Sequence, residues 1–376
     1  MAAKGDGGQQ HSREGTIGRI QLQAQILSIP IILTFATVMG KKSRKLQNQG
    51  ASSSSPSHGD KKSSGNHTEE LMSRGDAAME SLEPLLASQF YTRALDELKS
   101  SLSPGASQAA LAHPYERLGE AMISLDDSEG AKKAFEASLA AEATARRHLF
   151  VAQLCSHSES LSHFKQGIAL LNAAKDSDKP TLVQAYCGIV ELYTTDLCME
   201  EGAEEAAEAA AASAAEFDDG TLPDAKQTMA NLRLSQGRAD EAAAAMLEVW
   251  MRIGKGCKAM AEQVGLGEMG VIEDDVETGE GGSGARGIVE VSEDNLKAVN
   301  SLPDYEFRTT TAKLMMESAS LVSVSDLESS GSLLDGAIQV LGSLLSENDE
   351  VIETWFLLGK SYIHHTHASF QALSVA

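Results

Sequence analysis

The sequence has little of what metal sites and disulfide frameworks require. Only four cysteines occur among 376 residues, none of them in a C-x-x-C pair, and no histidine lies at zinc-finger spacing. This pattern favours reduced thiols over disulfides or bound metal. Such cysteine usage is typical of a cytosolic or nuclear protein. The four residues are Cys155, Cys187, Cys198 and Cys257.

The short motifs of common enzyme classes are also missing. The sequence has no G-x-x-x-x-G-K-[ST], no G-x-S-x-G and no H-E-x-x-H, which mark phosphate loops, nucleophile elbows and zinc hydrolases. The Gly-rich run at 279–284 lies among carboxylates that would repel phosphate, and it lacks the alternating order of a calcium loop. We therefore predict that the chain is not an enzyme and binds no cofactor or metal.

Basic residues are scarce. Lys and Arg number 31 against 54 Asp and Glu, for a formal charge of −23. Residues 1–66 are themselves basic, with nine Lys/Arg against three Asp/Glu, so the rest of the chain carries −29. A body this acidic repels nucleic acid and attracts basic partners. The alternative interpretation is a charged surface that serves only solubility.

No apolar run is long enough to cross a bilayer. The longest, residues 26–38, has thirteen residues and is interrupted by Pro30, whereas a span needs about 20. Arg19 before it is compatible with a signal peptide. The interpretation that we favour places the start of translation at Met39 and treats residues 1–38 as a spurious extension. We predict no membrane association.

The remainder of residues 1–66 is predicted to be a disordered, basic and Ser-rich tail. A basic cluster within it is either a nuclear localisation signal that binds an import factor or a solubilising tail. The cluster consists of Lys41, Lys42, Arg44 and Lys45.

From residue 67 the apolar residues recur at helical spacing, and a longer repeat is superimposed on them. A Gly or Ala is followed by a small residue twelve positions later, a large residue four further on, and another residue of small or medium size three beyond. Small residues allow two helices to approach, and the large residue fills the remaining gap. This spacing predicts tetratricopeptide units, helix pairs of about 34 residues. Residues Trp355, Leu358, Gly359 and Tyr362 match the first-helix pattern of such a unit.

We therefore predict an all-α, superhelical solenoid of seven degenerate units. Five units occupy 67–264, an acidic Gly-rich loop occupies 265–302, and units six and seven occupy 303–363, the last incomplete before a frayed end at 364–376. The residues predicted to hold the repeats together are Gly75, Ala87, Gly119, Ala131, Phe135, Ala230, Ala242, Trp355, Gly359 and Tyr362.

Several segments are more specific than the repeat itself. They are LYTTDLCMEEGAEEAAEA, LRLSQGRADEA, LPDYEFRTTTAKLMMES and DEVIETWFLLGKSY, together with the run from Glu69 to Ala94. In their order they resemble the assembly chaperones of large-subunit ribosomal protein four. The resemblance implies a superhelix that wraps the basic internal loop of that newly made protein, keeps it soluble, and escorts it to nuclear large-subunit assembly. It also implies residence in both cytoplasm and nucleus.

The inner face of the repeats agrees with a basic client. Tetratricopeptide clamps for acidic peptides need Lys, Arg and Asn there, whereas this chain has Met72, Asp76 and Glu120. The alternative is a passive scaffold or adaptor within a multiprotein complex. The carboxylates that we predict to contact the client are those of Glu116, Glu120, Glu191, Asp196, Glu200 and Glu201.

Overall fold

The computed structural model describes residues 64–103, 106–174, 178–262, 293–322 and 326–375. Within these ranges the chain forms fourteen α-helices and no β-strand, which confirms the all-α prediction. Residues 1–63 of the predicted tail and residues 265–292 of the predicted acidic loop lie outside the described residues. None of the described helices is both long and apolar enough to span a membrane. The chain divides into two compact units, with the boundary at Phe217 and Asp218.

The N-terminal unit contains four helix pairs. The pairs are α1 (Ser64–Glu80) with α2 (Pro84–Ser101), α3 (Ala112–Ser124) with α4 (Ser128–Ala141), α5 (Ala145–Leu154) with α6 (His157–Ala173), and α7 (Lys179–Thr194) with α8 (Ala203–Phe217). A short 3₁₀ turn, Gln108–Leu111, precedes α3. Each pair packs within itself and on the next pair, through α2 on α3, α4 on α5 and α6 on α7. This serial packing is the arrangement that a repeat sequence predicts.

The C-terminal unit contains the remaining six helices. They are α9 (Asp224–Ser235), α10 (Ala239–Glu262), α11 (Glu293–Asn300), α12 (Tyr305–Leu321), α13 (Leu327–Glu347) and α14 (Ile352–Val375). Helix α10 packs on α9, α11, α12 and α13, and α14 packs on α13. The core is built around fully buried Met246, Met315 and Leu341.

Two segments differ from the sequence prediction in this unit. Helix α11 lies inside the range predicted as an acidic loop. Its first turn carries Glu293 and Asp294, whose negative charge suits a helix N-terminus, and the helix-forming residues Leu296, Lys297 and Ala298 follow. Helix α14 continues through Val375, where a frayed end was predicted from 364. Its Ala, Leu, Phe and Gln residues after His367 are compatible with continued helix.

Helix starts follow from local capping residues. The Asp127 side chain accepts a hydrogen bond from the Gly130 backbone N–H at 2.8 Å, and Asp304 accepts one from Phe307 N–H at 2.9 Å. Such caps satisfy N–H groups that the first helical turn leaves without partners. They set α4 and α12 at their observed starts.

The repeat spacing has a direct steric basis in the N-terminal unit. A Cβ atom added to Gly75 would lie 2.4 Å from the Tyr91 ring, and one added to Gly119 would lie 2.7 Å from the Phe135 ring. Ala87 and Ala131, twelve residues after these glycines, are fully buried. Each glycine therefore provides the space that the aromatic ring of the next helix occupies.

The predicted packing residues of the C-terminal unit divide into two groups. Ala230 and Ala242 are fully buried, and Tyr362 packs partly buried against the same core. Trp355, however, is 48% exposed and donates from Nε1 to the Asp349 carbonyl. A Cβ on Gly359 would meet nothing within 4 Å. The core prediction was therefore wrong for Trp355 and Gly359, because α14 packs through the neighbouring Leu357 and Leu358 instead.

Replacing Gly119 with alanine is expected to lower the free energy of unfolding by about 1 kcal/mol. The Phe135 ring is 2% exposed and stacks on Phe150 with centroids 4.7 Å apart, so it has no room to move. The overpacking cost of roughly 1–3 kcal/mol exceeds the helix-propensity gain of roughly 1 kcal/mol. Gly359→Ala, the same exchange on an open face, should stabilise by up to ~1 kcal/mol. Urea unfolding measures both, and changes of the same sign would contradict the packing explanation.

Candidate client-binding surface

An open groove runs along one face of α1. Its volume is about 660 Å³, and its far side is formed by Leu98, Ala110, His113 and Pro114. From α1, Met72 and Ala77 contribute apolar surface, and Glu69, Asp76 and Glu80 contribute carboxylates. The groove therefore combines an apolar lining with negative charge, which suits a ligand that is both apolar and cationic.

Two of these carboxylates are available to a ligand. Glu69 and Glu80 are exposed, and neither makes a hydrogen bond or ion pair among the residues that the structure describes. They are eleven residues apart on α1, which is about three turns and about 16 Å, so they share one helix face. A ligand lying along α1 would meet one carboxylate near each end of the groove.

The third carboxylate, Asp76, is already engaged. It accepts hydrogen bonds from the Tyr91 hydroxyl at 2.8 Å and from Arg117 Nε at 2.9 Å. The Arg117 guanidinium also lies over the Tyr91 ring, 5.7 Å from its centroid, and pairs with Glu120. Asp76 thus joins α1 to α2 and α3, and its charge is balanced within the protein.

This ion-pair network continues into the next repeat. Arg146 on α5 pairs with Glu116 and Glu120 on α3, each at 3.0 Å. Arg147 pairs with Glu116 at 3.1 Å and with Glu142 at 2.7 Å. Four carboxylates and three guanidiniums therefore connect α1, α3 and α5. Because a buried charge is tolerated only when paired, this network fixes the relative positions of these helices.

The network changes the expectation for two predicted client contacts. Glu116 and Glu120 are both 7% exposed, and their carboxylates are held by arginines of the same chain. Burial raises the pKa of Glu120, while Arg117 and Arg146 oppose the rise. The prediction of an accessible acidic face was wrong at these two residues, because partners about thirty residues away in sequence cover them. Glu116 and Glu120 therefore lie outside the proposed client site.

The next predicted pair lies at the end of α7. Burial, followed by the nearby charge of Asp196, raises the pKa of Glu191 from its ordinary 4.5 to about 8. Glu191 is therefore mostly protonated at neutral pH and carries little charge toward a client. Asp196 is exposed and accepts a hydrogen bond from the His157 backbone N–H at 3.3 Å.

Glu200 and Glu201 lie in the turn between α7 and α8. Both are exposed, and Met199 beside them is 70% exposed. These two carboxylates keep the accessibility that the sequence predicted, and their contact with a client stays a prediction. Glu69 and Glu80 were missed. Their separation of eleven residues on one helix was the signal that could have identified them.

No family model matches the chain. The chain is 26% identical over 258 residues to the "Probable assembly chaperone of rpl4" of Schizosaccharomyces pombe, which covers 65% of this chain. The chain spans 61% of the length of that relative. The match confirms the resemblance that the sequence segments indicated.

The fold also has a counterpart among solved structures. A structure of residues 1–338 of the assembly chaperone of RpL4, Acl4, matches 81% of this chain and 99% of its own length, with 20% identity and a TM-score of 0.53. A tetratricopeptide protein of Thermus thermophilus matches 50% of this chain and 92% of its own length, at 17% identity and a TM-score of 0.34. The Acl4 match confirms the tetratricopeptide-type fold.

Proposed function

We propose that this tetratricopeptide-type chain is an assembly chaperone that binds the basic internal loop of newly made large-subunit ribosomal protein four and escorts it to nuclear large-subunit assembly. The named activity of the Schizosaccharomyces pombe relative supports this proposal. The role is one of binding and release, with no catalytic step. The groove on α1 is the observation that carries it.

The groove specifies the chemistry of the bound segment. Glu69 and Glu80 lie about 16 Å apart, a distance that an extended peptide covers in about five residues. A client segment with Lys or Arg at both ends of such a stretch would pair with both carboxylates. Small apolar residues between them would contact Met72, Ala77 and Pro114. A segment that binds ribosomal RNA carries such cations because it must neutralise phosphates.

Electrostatics also supports a route to release. Surface ion pairs between client and chaperone are weak individually and sensitive to competing ions. Ribosomal RNA offers a dense array of phosphates for the same cations. We therefore propose that RNA in the assembling large subunit displaces the chaperone. Delivery there requires nuclear entry, for which we propose the import signal at Lys41, Lys42, Arg44 and Lys45, residues outside the described ranges.

The variant Glu69→Lys/Glu80→Lys is expected to weaken binding of ribosomal protein four by about 10- to 100-fold. Each charge reversal replaces an attraction by a repulsion and should cost about 1 kcal/mol of binding free energy, so the double variant should lose about 2 kcal/mol. Isothermal titration calorimetry with the basic loop peptide of ribosomal protein four measures the affinity. The matched control is Glu129→Lys/Glu136→Lys on α4, which changes the net charge equally on exposed residues away from the groove.

Binding within about threefold of the unaltered chain is expected for the control. Equal weakening in both variants would show that the net charge, rather than the groove, attracts the client, and would overturn the groove assignment. Co-expression separates a chaperone from a passive scaffold. Ribosomal protein four should become soluble with this chain and lose that gain with the groove variant. If its solubility does not increase, the chaperone proposal is wrong.

A further inference from the structure

Three potential metal ligands converge where α5 meets α6. Cys155 is the C-cap residue that follows α5, and Glu159 and His163 lie one turn apart on α6. One ligand atom from each residue lies within 4.8 Å of those of the other two. The spacing is four residues at each step, which matches no common metal motif, so the sequence pattern led to a prediction of no metal site.

These ligands have the chemistry of a zinc site. Thiolate, imidazole and carboxylate are the three groups that bind Zn²⁺ in proteins, whereas Mg²⁺ and Ca²⁺ prefer oxygen ligands alone. Ligands of one tetrahedral zinc ion lie between about 3 and 4 Å from each other, given bonds of about 2.0 to 2.3 Å. A shift of about 1 Å in side-chain positions would bring this cluster to that geometry. Glu159 is exposed, and Cys155 and His163 are half-buried, so an ion can enter from solvent.

A cationic side chain already occupies this cluster. Lys132 Nζ lies 3.2 Å from Glu159 Oε2 and donates a hydrogen bond to it. The ammonium therefore stands where positive charge is favoured. It can withdraw when a metal ion enters, because Glu136 on its own helix lies 3.9 Å from Lys132 Nζ.

A neighbouring histidine orients the imidazole ligand. The Nδ1 atoms of His148 and His163 lie 3.1 Å apart, so the N–H of one ring donates a hydrogen bond to the other ring. When His163 is the donor, its Nε2 carries the lone pair that a metal ion binds. Metal-binding histidines commonly use their second nitrogen in this way, and the partner fixes the ring and raises its basicity.

We propose that Cys155, Glu159 and His163 form a Zn²⁺ site in which water fills the fourth position. Binding releases the Cys155 thiol proton to solvent and displaces the ammonium of Lys132. The ion would join the end of α5 to the first two turns of α6. His157, the first residue of α6, is a non-glycine residue with φ of +54°. Such a backbone conformation is costly unless surrounding contacts hold it, and bound zinc would supply such a contact.

The test uses the untagged full chain with His364, His365 and His367 changed to glutamine, which removes the histidines of α14 as competing ligands. Titration with zinc sulfate should give one equivalent bound and a rise in Tm. Cys155→Ser and His163→Gln should each weaken binding by at least about 100-fold, because each removes one of three protein ligands. Lys132→Met should strengthen it by about tenfold, because the competing ammonium is gone.

Matched controls and a second probe make the result decisive. Cys198→Ser and His113→Gln alter the same residue types outside the cluster and should leave the zinc affinity unchanged. Co²⁺ bound to the chain with Cys155 intact should show tetrahedral visible bands and a thiolate charge-transfer band, so the proposal does not depend on whether a variant folds. An octahedral Co²⁺ spectrum, or zinc binding unaffected by Cys155→Ser, would identify an adventitious ion only and overturn the proposal.

Discussion

Replacing Glu116 with alanine is expected to lower the free energy of unfolding by about 2–3 kcal/mol. The side chain is buried, and its two oxygens pair with Arg146 and Arg147 at 3.0 and 3.1 Å. The replacement removes the counter-ion that two guanidiniums share, one of them buried, so that Arg146 keeps only Glu120 and Arg147 keeps only Glu142 as carboxylate partners. The cost of breaking a buried pair in this way exceeds the net contribution of the pair itself, because the remaining charges stay desolvated. Urea unfolding followed by circular dichroism measures the change.

Glu129→Ala on α4 is the control for this prediction. Glu129 pairs with Lys133 at 3.2 Å, but both side chains are more than 70% exposed, so the change should cost less than about 1 kcal/mol. The Glu116→Ala variant itself, under conditions where it remains folded, should bind the client loop peptide with the affinity of the unaltered chain. A variant that is as stable as the parent but binds the peptide poorly would show that Glu116 contacts the client directly.

The pairing of neighbouring helices could be predicted largely from the spacing of small and large side chains along the sequence. The spacing from Gly119 to Ala131 and Phe135 encodes which residues of two helices come close, since a helix has a fixed rise and turn. Packing of this kind is local, within one pair of helices. The prediction failed at Trp355 because the same first-helix pattern can occur on a helix face that no described helix covers.

The candidate site was harder to predict because charge alone does not indicate burial. Glu116 and Glu200 are the same residue type in acidic surroundings, yet one is enclosed by arginines of the following repeat and the other lies in an exposed turn. The difference depends on Arg147, thirty-one residues after Glu116, and on the angle at which α5 packs. Sequence periodicity contains no such information. Glu69 and Glu80, in contrast, share a face of a single helix and were predictable in principle.

Replacing Glu191 with glutamine is expected to stabilise the protein by roughly 2–3 kcal/mol at about pH 8.5. Burial and the charge of Asp196 raise the Glu191 pKa in the folded state from 4.5 to about 8. Between those values the folded state keeps a proton that the unfolded chain has released. The stability of the unaltered protein therefore falls as pH rises through this window. The rise in the Glu191 pKa from 4.5 to about 8 corresponds to a loss of nearly 5 kcal/mol of stability. We expect about half of this loss, because the side chain is partly exposed and solvent screens its charge.

The pH dependence distinguishes this effect from a general gain in packing. At about pH 4 the carboxyl is protonated in both states, so Glu191→Gln should change the stability by less than ~0.5 kcal/mol, and the gain should grow as pH rises toward 8. Glu200→Gln, at an exposed residue in the next turn, should have no effect at either pH. Urea unfolding across this range measures the difference between each variant and the parent. If Glu191→Gln lowered stability at the higher pH, the carboxylate would be ionised and paired in the folded protein, and its predicted contact with a basic client would regain support.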